Sequence, residues 1–148
     1  MRIVTYNIHK GRGIDGRVSL KRIVEVLTEL NADIIALQEI YAVCDAHQGQ
    51  VETIAEKLDM NPAFGCTRHH KGRPYGNAIL TRWPILQSRD MDISWGPRER
   101  RGCVRADIKT PRGTLHGSGR TRRKQYELRA VASAVGEMGK QELGTTNP

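Results

Sequence analysis

A mixed α/β fold is predicted by three successive features of the amino-terminal residues. Residues 2 to 8 (Arg-Ile-Val-Thr-Tyr-Asn-Ile) are β-branched and aromatic and stop at a glycine-rich stretch, 10 to 16, which reads as a strand running into a loop. Ser19 stands where a helix cap belongs, ahead of Leu20, Ile23, Val24, Leu27 and Leu30, whose spacing lays one apolar stripe along a helix over 20–30. Asn31-Ala32-Asp33 breaks that pattern, and Ile34-Ile35-Ala36-Leu37 is the continuous apolar run of a strand buried on both faces. Strand, helix, strand makes a βαβ unit. Gln38 and Glu39 fall at the carboxyl end of its second strand, where open α/β sheets bind their ligands.

Beyond this unit, Val51, Ile54, Ala55 and Leu58 share one side of a short helix over 51–58. Strands are expected over 63–67, 77–81, 86–93 and 103–109, and Pro111-Arg112-Gly113 makes a turn that sets Lys109 and Thr114 on neighbouring antiparallel strands. Thr114-Leu115-His116 begins as a strand but meets Gly117-Ser118-Gly119 almost at once, too soon for a core strand. From Thr121 a helix is predicted, with Leu128, Val131, Ala132, Val135 and Met138 in line, and residues 144–148 read as a frayed tail. The expected organisation is therefore one domain over 1–143 and a tail over 144–148.

Size and composition agree with a single folded unit. The chain has 148 residues, 38% of them hydrophobic and 27% charged, which places it among globular sequences. Three cysteines, Cys44, Cys66 and Cys103, lie far apart and suggest neither a zinc site nor a disulfide framework, so a reducing cytoplasm is expected. The first residues lack the apolar run of a signal peptide, and no stretch approaches the ~20 apolar residues of a membrane span. Net charge is +8, and it is concentrated: residues 98 to 130 hold eleven Lys or Arg against Glu99, Asp107 and Glu127. Such a segment either attracts polyanions or is a solvated face of arginine-rich loops.

Asn7 ends the first strand and Glu39 the second. Parallel neighbours would bring both to one edge of the sheet, an amide beside a carboxylate. A hard cation such as Mg²⁺ takes oxygen ligands, commonly one or two carboxylates completed by water and substrate phosphate. Glu39 fits the ligand role and Asn7 a polar role beside it. On spacing alone, Glu39 as an exposed strand-end charge and Asn7 as a turn residue is the stronger reading. His9, two residues past Asn7 on the glycine-rich loop, is within reach of a phosphate, whereas His47, His69 and His70 read as surface residues.

The segments Arg2-Ile3-Val4-Thr5-Tyr6-Asn7-Ile8-His9, Ala32-Asp33-Ile34-Ile35-Ala36-Leu37-Gln38-Glu39 and Tyr75-Gly76-Asn77-Ala78-Ile79-Leu80-Thr81-Arg82, in that order, resemble the opening half of the endonuclease/exonuclease/phosphatase superfamily. The resemblance extends over nearly the whole chain. It implies a four-layer α/β sandwich, of which this chain supplies a part: a mixed β-sheet with helices on its outer face, the second half of the sandwich missing. It further implies that Glu39 binds a divalent metal, Mg²⁺ or Mn²⁺, and that Asn7 helps organise metal and phosphate, making Asn7 and Glu39 the catalytic pair. The segment holding Asn77 resembles a family strand that packs near the site, so that Asn77 either approaches substrate or, as the preferred reading, has a structural role. Glu99-Arg100-Arg101-Gly102-Cys103-Val104-Arg105-Ala106 resembles the family segment where basic residues face phosphate, so Arg100 or Arg101 can clamp a phosphodiester.

The chain also departs from the family pattern. The Thr-His-Leu motif expected after the turn is absent, as though one strand's length had been removed, and His116 falls too soon to replace it. The Gly-Asp-x-Asn and Ser-Asp-His motifs are missing, since Asp107 is the last aspartate and His116 the last histidine. A hydrolase without them lacks its base and most of its electrostatic clamp. The expected function is thus a metal-dependent, nuclease-like phosphodiester hydrolase, weak or inactive in this chain. The alternatives are a non-catalytic basic module for nucleic acid or another polyanion, and an inert fragment of a frameshifted gene. Loss of half the sandwich would leave an apolar sheet face open to water, at ~25 cal/mol per Å², and self-association through that face is expected.

Overall fold

The computed structural model describes residues 1–44, 49–97, 100–122 and 125–133. Eight strands, two α-helices and one 3-10 turn (His9–Gly11) are built from them: β1 (Ile3–Asn7), α1 (Leu20–Leu30), β2 (Ile34–Tyr41), α2 (Gln50–Leu58), β3 (Asn61–His70), β4 (Arg73–Thr81), β5 (Ile85–Asp92), β6 (Gly102–Thr110), β7 (Gly113–Arg122) and β8 (Gln125–Ser133). The first sheet has the order β1-β2-β4-β3, with β1 parallel to β2 and the other pairs antiparallel. The second, β5-β6-β7-β8, is antiparallel throughout.

Both helices form where the apolar stripes lie. In α1, Ser19 caps the first turn by accepting from the Arg22 backbone N–H at 3.4 Å, Asn31 ends the helix in a left-handed conformation, and Ile23 and Leu27 face inward. In α2, Val51, Ile54 and Ala55 are buried and Asp59 closes the helix in the same left-handed way. These side chains join Ile35, Leu37, Ile40, Ala78 and Leu80 in a core on the helical side of the first sheet. A second core, of Ile34, Ala63, Ile79, Val104, Ala106, Ile108 and Leu115, lies between the two sheets. The layers run helices, sheet, sheet, which is three of the four in the expected sandwich. A second helical layer is not present among the described residues.

Three expectations are corrected here. First, β7 is a full strand rather than a short start, so no strand's length is missing after the turn. Its inward positions alternate as Leu115, Gly117 and Gly119, all buried, and the glycines lie where the two sheets come close: a Cβ on Gly117 would touch Ile79 and Ile108, and one on Gly119 Ala36 and Val104. Second, the predicted helix from Thr121 is strand β8 over Gln125–Ser133, paired with β7 in a register that sets Leu128 opposite Gly119 and Ala132 opposite Leu115. Tyr126, Leu128, Ala130 and Ala132 also read as a period-two pattern, and pairing along β7 selects that period over the helical one. Val135, Met138 and the tail over 144–148 lie outside the described residues. Third, the inner sheet faces cover each other, so the apolar face expected to meet water is buried. The face open to solvent is the outer side of the second sheet, which carries Gln87, Arg89, Arg105 and Lys109. No helix among the described residues is long and apolar enough to cross a membrane.

Candidate metal and phosphate site

Asn7 lies opposite Gln38 in the parallel β1–β2 register, so the first strand ends one residue short of Glu39. Glu39 itself is the extra residue of a β-bulge: Gln38 pairs with Asn77 and Ile40 with the next residue along, Gly76. Its φ of 57° lies in the left-handed region, which a non-glycine residue adopts at a cost that the surrounding structure must offset. The bulge turns the Glu39 side chain out of the strand's alternation and towards β1. There Asn7 Nδ2 donates to Glu39 Oε1 at 3.1 Å.

The loop after β1 closes on the same carboxylate. Asn7 Oδ1 accepts from the His9 backbone N–H at 3.0 Å, and His9 Nδ1 lies 3.2 Å from Glu39 Oε2. His9 and Lys10 both take left-handed φ values, 46° and 62°, curling the chain back over the strand end. Gln50, at the start of α2, pins this curl to the second strand: its Nε2 donates to the Lys10 carbonyl at 2.8 Å and its Oε1 accepts from the Tyr41 backbone N–H at 3.2 Å. Each half of one buried amide thus holds one wall of the site.

A second wall comes from β4. Tyr75 faces the Glu39 carboxylate, and burial first, then the Glu39 charge, pushes the tyrosine well above its ordinary ionisation range. Tyr75 packs against Tyr41 and His70, with ring centroids 5.3 Å and 5.7 Å away, and the Tyr41 hydroxyl meets His70 Nδ1 at 2.5 Å. Desolvation, followed by the charges of Lys10, Arg68 and Lys71, lowers the His70 pKa.

Of the residues singled out in the sequence, Asn7, His9 and Glu39 come together within hydrogen-bonding distance. Asn77 is 3% exposed and its Nδ2 donates to the Gly102 carbonyl at 2.9 Å, stitching the first sheet to the second beside Gln38. Arg100 is exposed and Arg101 half-buried on the loop leading to that same Gly102; the Arg101 backbone N–H donates to Ser94 Oγ at 2.8 Å. His116 pairs with Asp107 across β6 and β7, at 2.6 Å. His47 lies outside the described residues.

Among the described residues no three His, Cys, Asp or Glu side chains gather as a metal-ligating group. Glu39 nevertheless suits a cation that keeps most of its water. Its carboxylate retains 28% of its side-chain accessibility, it is aimed by a bulge, and an amide and an imidazole flank it. Mg²⁺ characteristically accepts one carboxylate together with water and substrate phosphate.

A model of the Endonuclease/Exonuclease/phosphatase family matches residues 4–137. The chain belongs to that family. Family members are hydrolases of the phosphoesterase kind and in general depend on a divalent metal. The uncharacterized protein YbhP of Escherichia coli K12 is 27% identical over 154 residues, a match covering 93% of this chain and 61% of the relative; YbhP of Shigella flexneri matches equally. The chain therefore spans about three-fifths of the length of these curated relatives. Among solved structures, an endonuclease/exonuclease/phosphatase from Beutenbergia cavernae superposes with a TM-score of 0.64 at 25% identity, covering 76% of this chain and 36% of that one. A family protein from Leptotrichia buccalis gives a TM-score of 0.56 at 18% identity, covering 75% and 50%, and supports the fold. The domain is partial relative to both.

Tyr75, Tyr41, His70, Gln50 and Lys10 were not singled out by sequence reasoning as parts of this site. A legible signal did exist for the cationic ones: residues 60 to 89 contain no Asp or Glu, while Arg68, Lys71 and Arg73 cluster within them.

Proposed function

We propose that the site is that of a divalent-metal-dependent phosphodiester hydrolase, nuclease-like in type, with weak activity in this chain. Glu39 is the metal ligand. Asn7 holds one carboxylate oxygen and, through His9, fixes the loop that faces the scissile phosphate. His9 supplies a hydrogen bond to a phosphate oxygen, and Arg100 or Arg101 steers the anion. Asn77 acts from behind, by joining the loop before β6 to the strand beside Glu39. When bound, Mg²⁺ or Mn²⁺ would polarise the phosphoryl oxygen and offset charge developing there. The supporting observation is the Asn7–Glu39 hydrogen bond at a bulge that points both groups to one rim.

The proposal of weak activity concerns these 148 residues alone, in which the Gly-Asp-x-Asn and Ser-Asp-His motifs do not occur. Removing part of a cooperating catalytic set costs orders of magnitude in rate. Hydrolysis of bis(p-nitrophenyl) phosphate, measured with Mg²⁺ or Mn²⁺ on wild type and Glu39→Gln, tests the proposal. Slow, metal-dependent turnover that falls at least ~10-fold in the variant is expected. Brisk turnover indifferent to Glu39 would refute the assignment.

A further inference from the structure

The outer face of the second sheet holds a polar cavity that the hydrolytic reading does not use. Gln87, Ser88 and Arg89 of β5 and Arg105 and Asp107 of β6 line about 130 Å³, well above the ~15 Å³ that a single water needs. The register sets Arg89 directly opposite Arg105, and Gln87 opposite Asp107. Like charges facing each other across an antiparallel pair destabilise it unless a negative group sits between them. Asp107 bonds Arg105 Nε at 3.2 Å and His116 Nδ1 at 2.6 Å. Arg89 bonds a neutral group instead: its Nε and Nη2 donate to the Gln87 amide oxygen at 3.0 and 2.9 Å, with that amide turned to face it. Both guanidiniums are thus held in place, and with five N–H donors each they engage no more than two in these bonds and the contact of Arg105 with His116. On β5 and β6 the same face carries Arg89, Arg105 and Lys109 against Asp107, three positive charges to one negative.

We infer that this cavity binds a phosphomonoester, held between Arg89 and Arg105. Such a group carries about two negative charges at pH 7 and three acceptor oxygens. One dianion therefore balances the surplus of the face and accepts charge-assisted bonds from both guanidinium forks. A carboxylate or a phosphodiester, with a single charge, would leave the opposed arginines half compensated. Asp107 and His116 brace the site from one side by fixing Arg105 along its strand. The exposed rim lets the ester arm lead away into solvent. Arg105 and Asp107 stand three and five residues along β6 from Gly102, the residue that Asn77 grips, or roughly 10 and 17 Å at the rise of a strand. They also face away from the first sheet, so the site is separate from Glu39 and stands without the hydrolase reading.

The test is a titration of ¹⁵N-labelled protein with phenyl phosphate, and separately with inorganic phosphate, at constant ionic strength and in EDTA. Amide signals of Ser88, Arg89, Arg105, Ala106 and Asp107 should shift and saturate with either probe, while those of Asn7, His9 and Glu39 stay in place. Arg89→Gln should weaken binding at least ~10-fold, as the loss of hydrogen bonds to a charged group requires. Arg89→Lys, which keeps the charge but not the fork, should lose most of the same affinity. Lys21→Gln on α1 removes one positive charge from another element and should bind like wild type. The spectra of the variants report directly whether each is folded. Equal loss in Lys21→Gln would reduce the effect to net charge and overturn the inference. So would shifts that do not saturate, shifts centred on Asn7 and His9, unchanged affinity in Arg89→Gln, or binding of inorganic phosphate with none of phenyl phosphate.

Discussion

Glu39 is held from two directions, by Asn7 and His9, with Tyr75 close enough for the carboxylate to shift its hydroxyl, and its backbone is bent to meet them. The Tyr75 hydroxyl is the most perturbed of these partners. Its native pKa is raised above the value of 10.0 it would have when unfolded, burial being the larger cause and the neighbouring carboxylate the next. The stabilisation is fully present below about pH 10, where both states are protonated, and is lost as pH climbs and only the unfolded chain ionises. Tyr75→Phe should therefore blunt the alkaline fall of the urea midpoint. An identical alkaline fall in wild type and variant would show that the hydroxyl is not confined as described. At this scale the sequence was informative about Asn7, His9 and Glu39, because they end consecutive strands or follow directly. It was silent about Tyr75, Tyr41 and Gln50, whose contacts with the site depend on how three separate segments register.

Gly76 shows at the scale of elements why that register matters. It faces Ile40 on β2 and Cys66 on β3, and each of those strands has an extra residue beside it, Glu39 in one and Thr67 in the other. A Cβ on Gly76 would fall on the Gly65 carbonyl oxygen, with the Thr67 backbone nitrogen next nearest. Two bulges thus converge on one residue without a side chain, and they aim Glu39 on one side and Arg68 on the other. Gly76→Ala should destabilise the fold by about 2–4 kcal/mol. Gly117→Ala, whose Cβ would find ordinary contacts at 3.8 Å and beyond, should be tolerated; urea unfolding of the pair checks the contrast, and equal midpoints would contradict it. Helix α1 was legible to the residue, from its cap and stripe. Strand β7 was not, since Gly117 and Gly119 look like a break in the chain until pairing with β6 makes them inward positions of a full strand facing Ile79 and Ala36. Strand β8 was misread because its apolar residues satisfy both the helical and the extended period.

Taken whole, the molecule places the candidate site at one end of a sandwich. The ends of β1 and β2, the β3–β4 hairpin and the loop before β6 meet there, and Asn77 ties the two sheets together just beneath. The resemblance to the family was legible in three short segments, and the match over residues 4–137 bears it out. The buried inter-sheet core was not foreseen, because a sandwich with its second half missing was expected to leave an apolar face bare. Instead the second sheet supplies the cover. What this arrangement does for a cation is measured most directly by titrating ¹⁵N-labelled protein with Mn²⁺ and following paramagnetic loss of backbone signals. The account predicts that the amides of Asn7, Ile8, His9, Gln38, Glu39 and Ile40 disappear first, and that Glu39→Gln abolishes the effect. Loss centred on Asp107 and His116, or spread evenly over the chain, would contradict it.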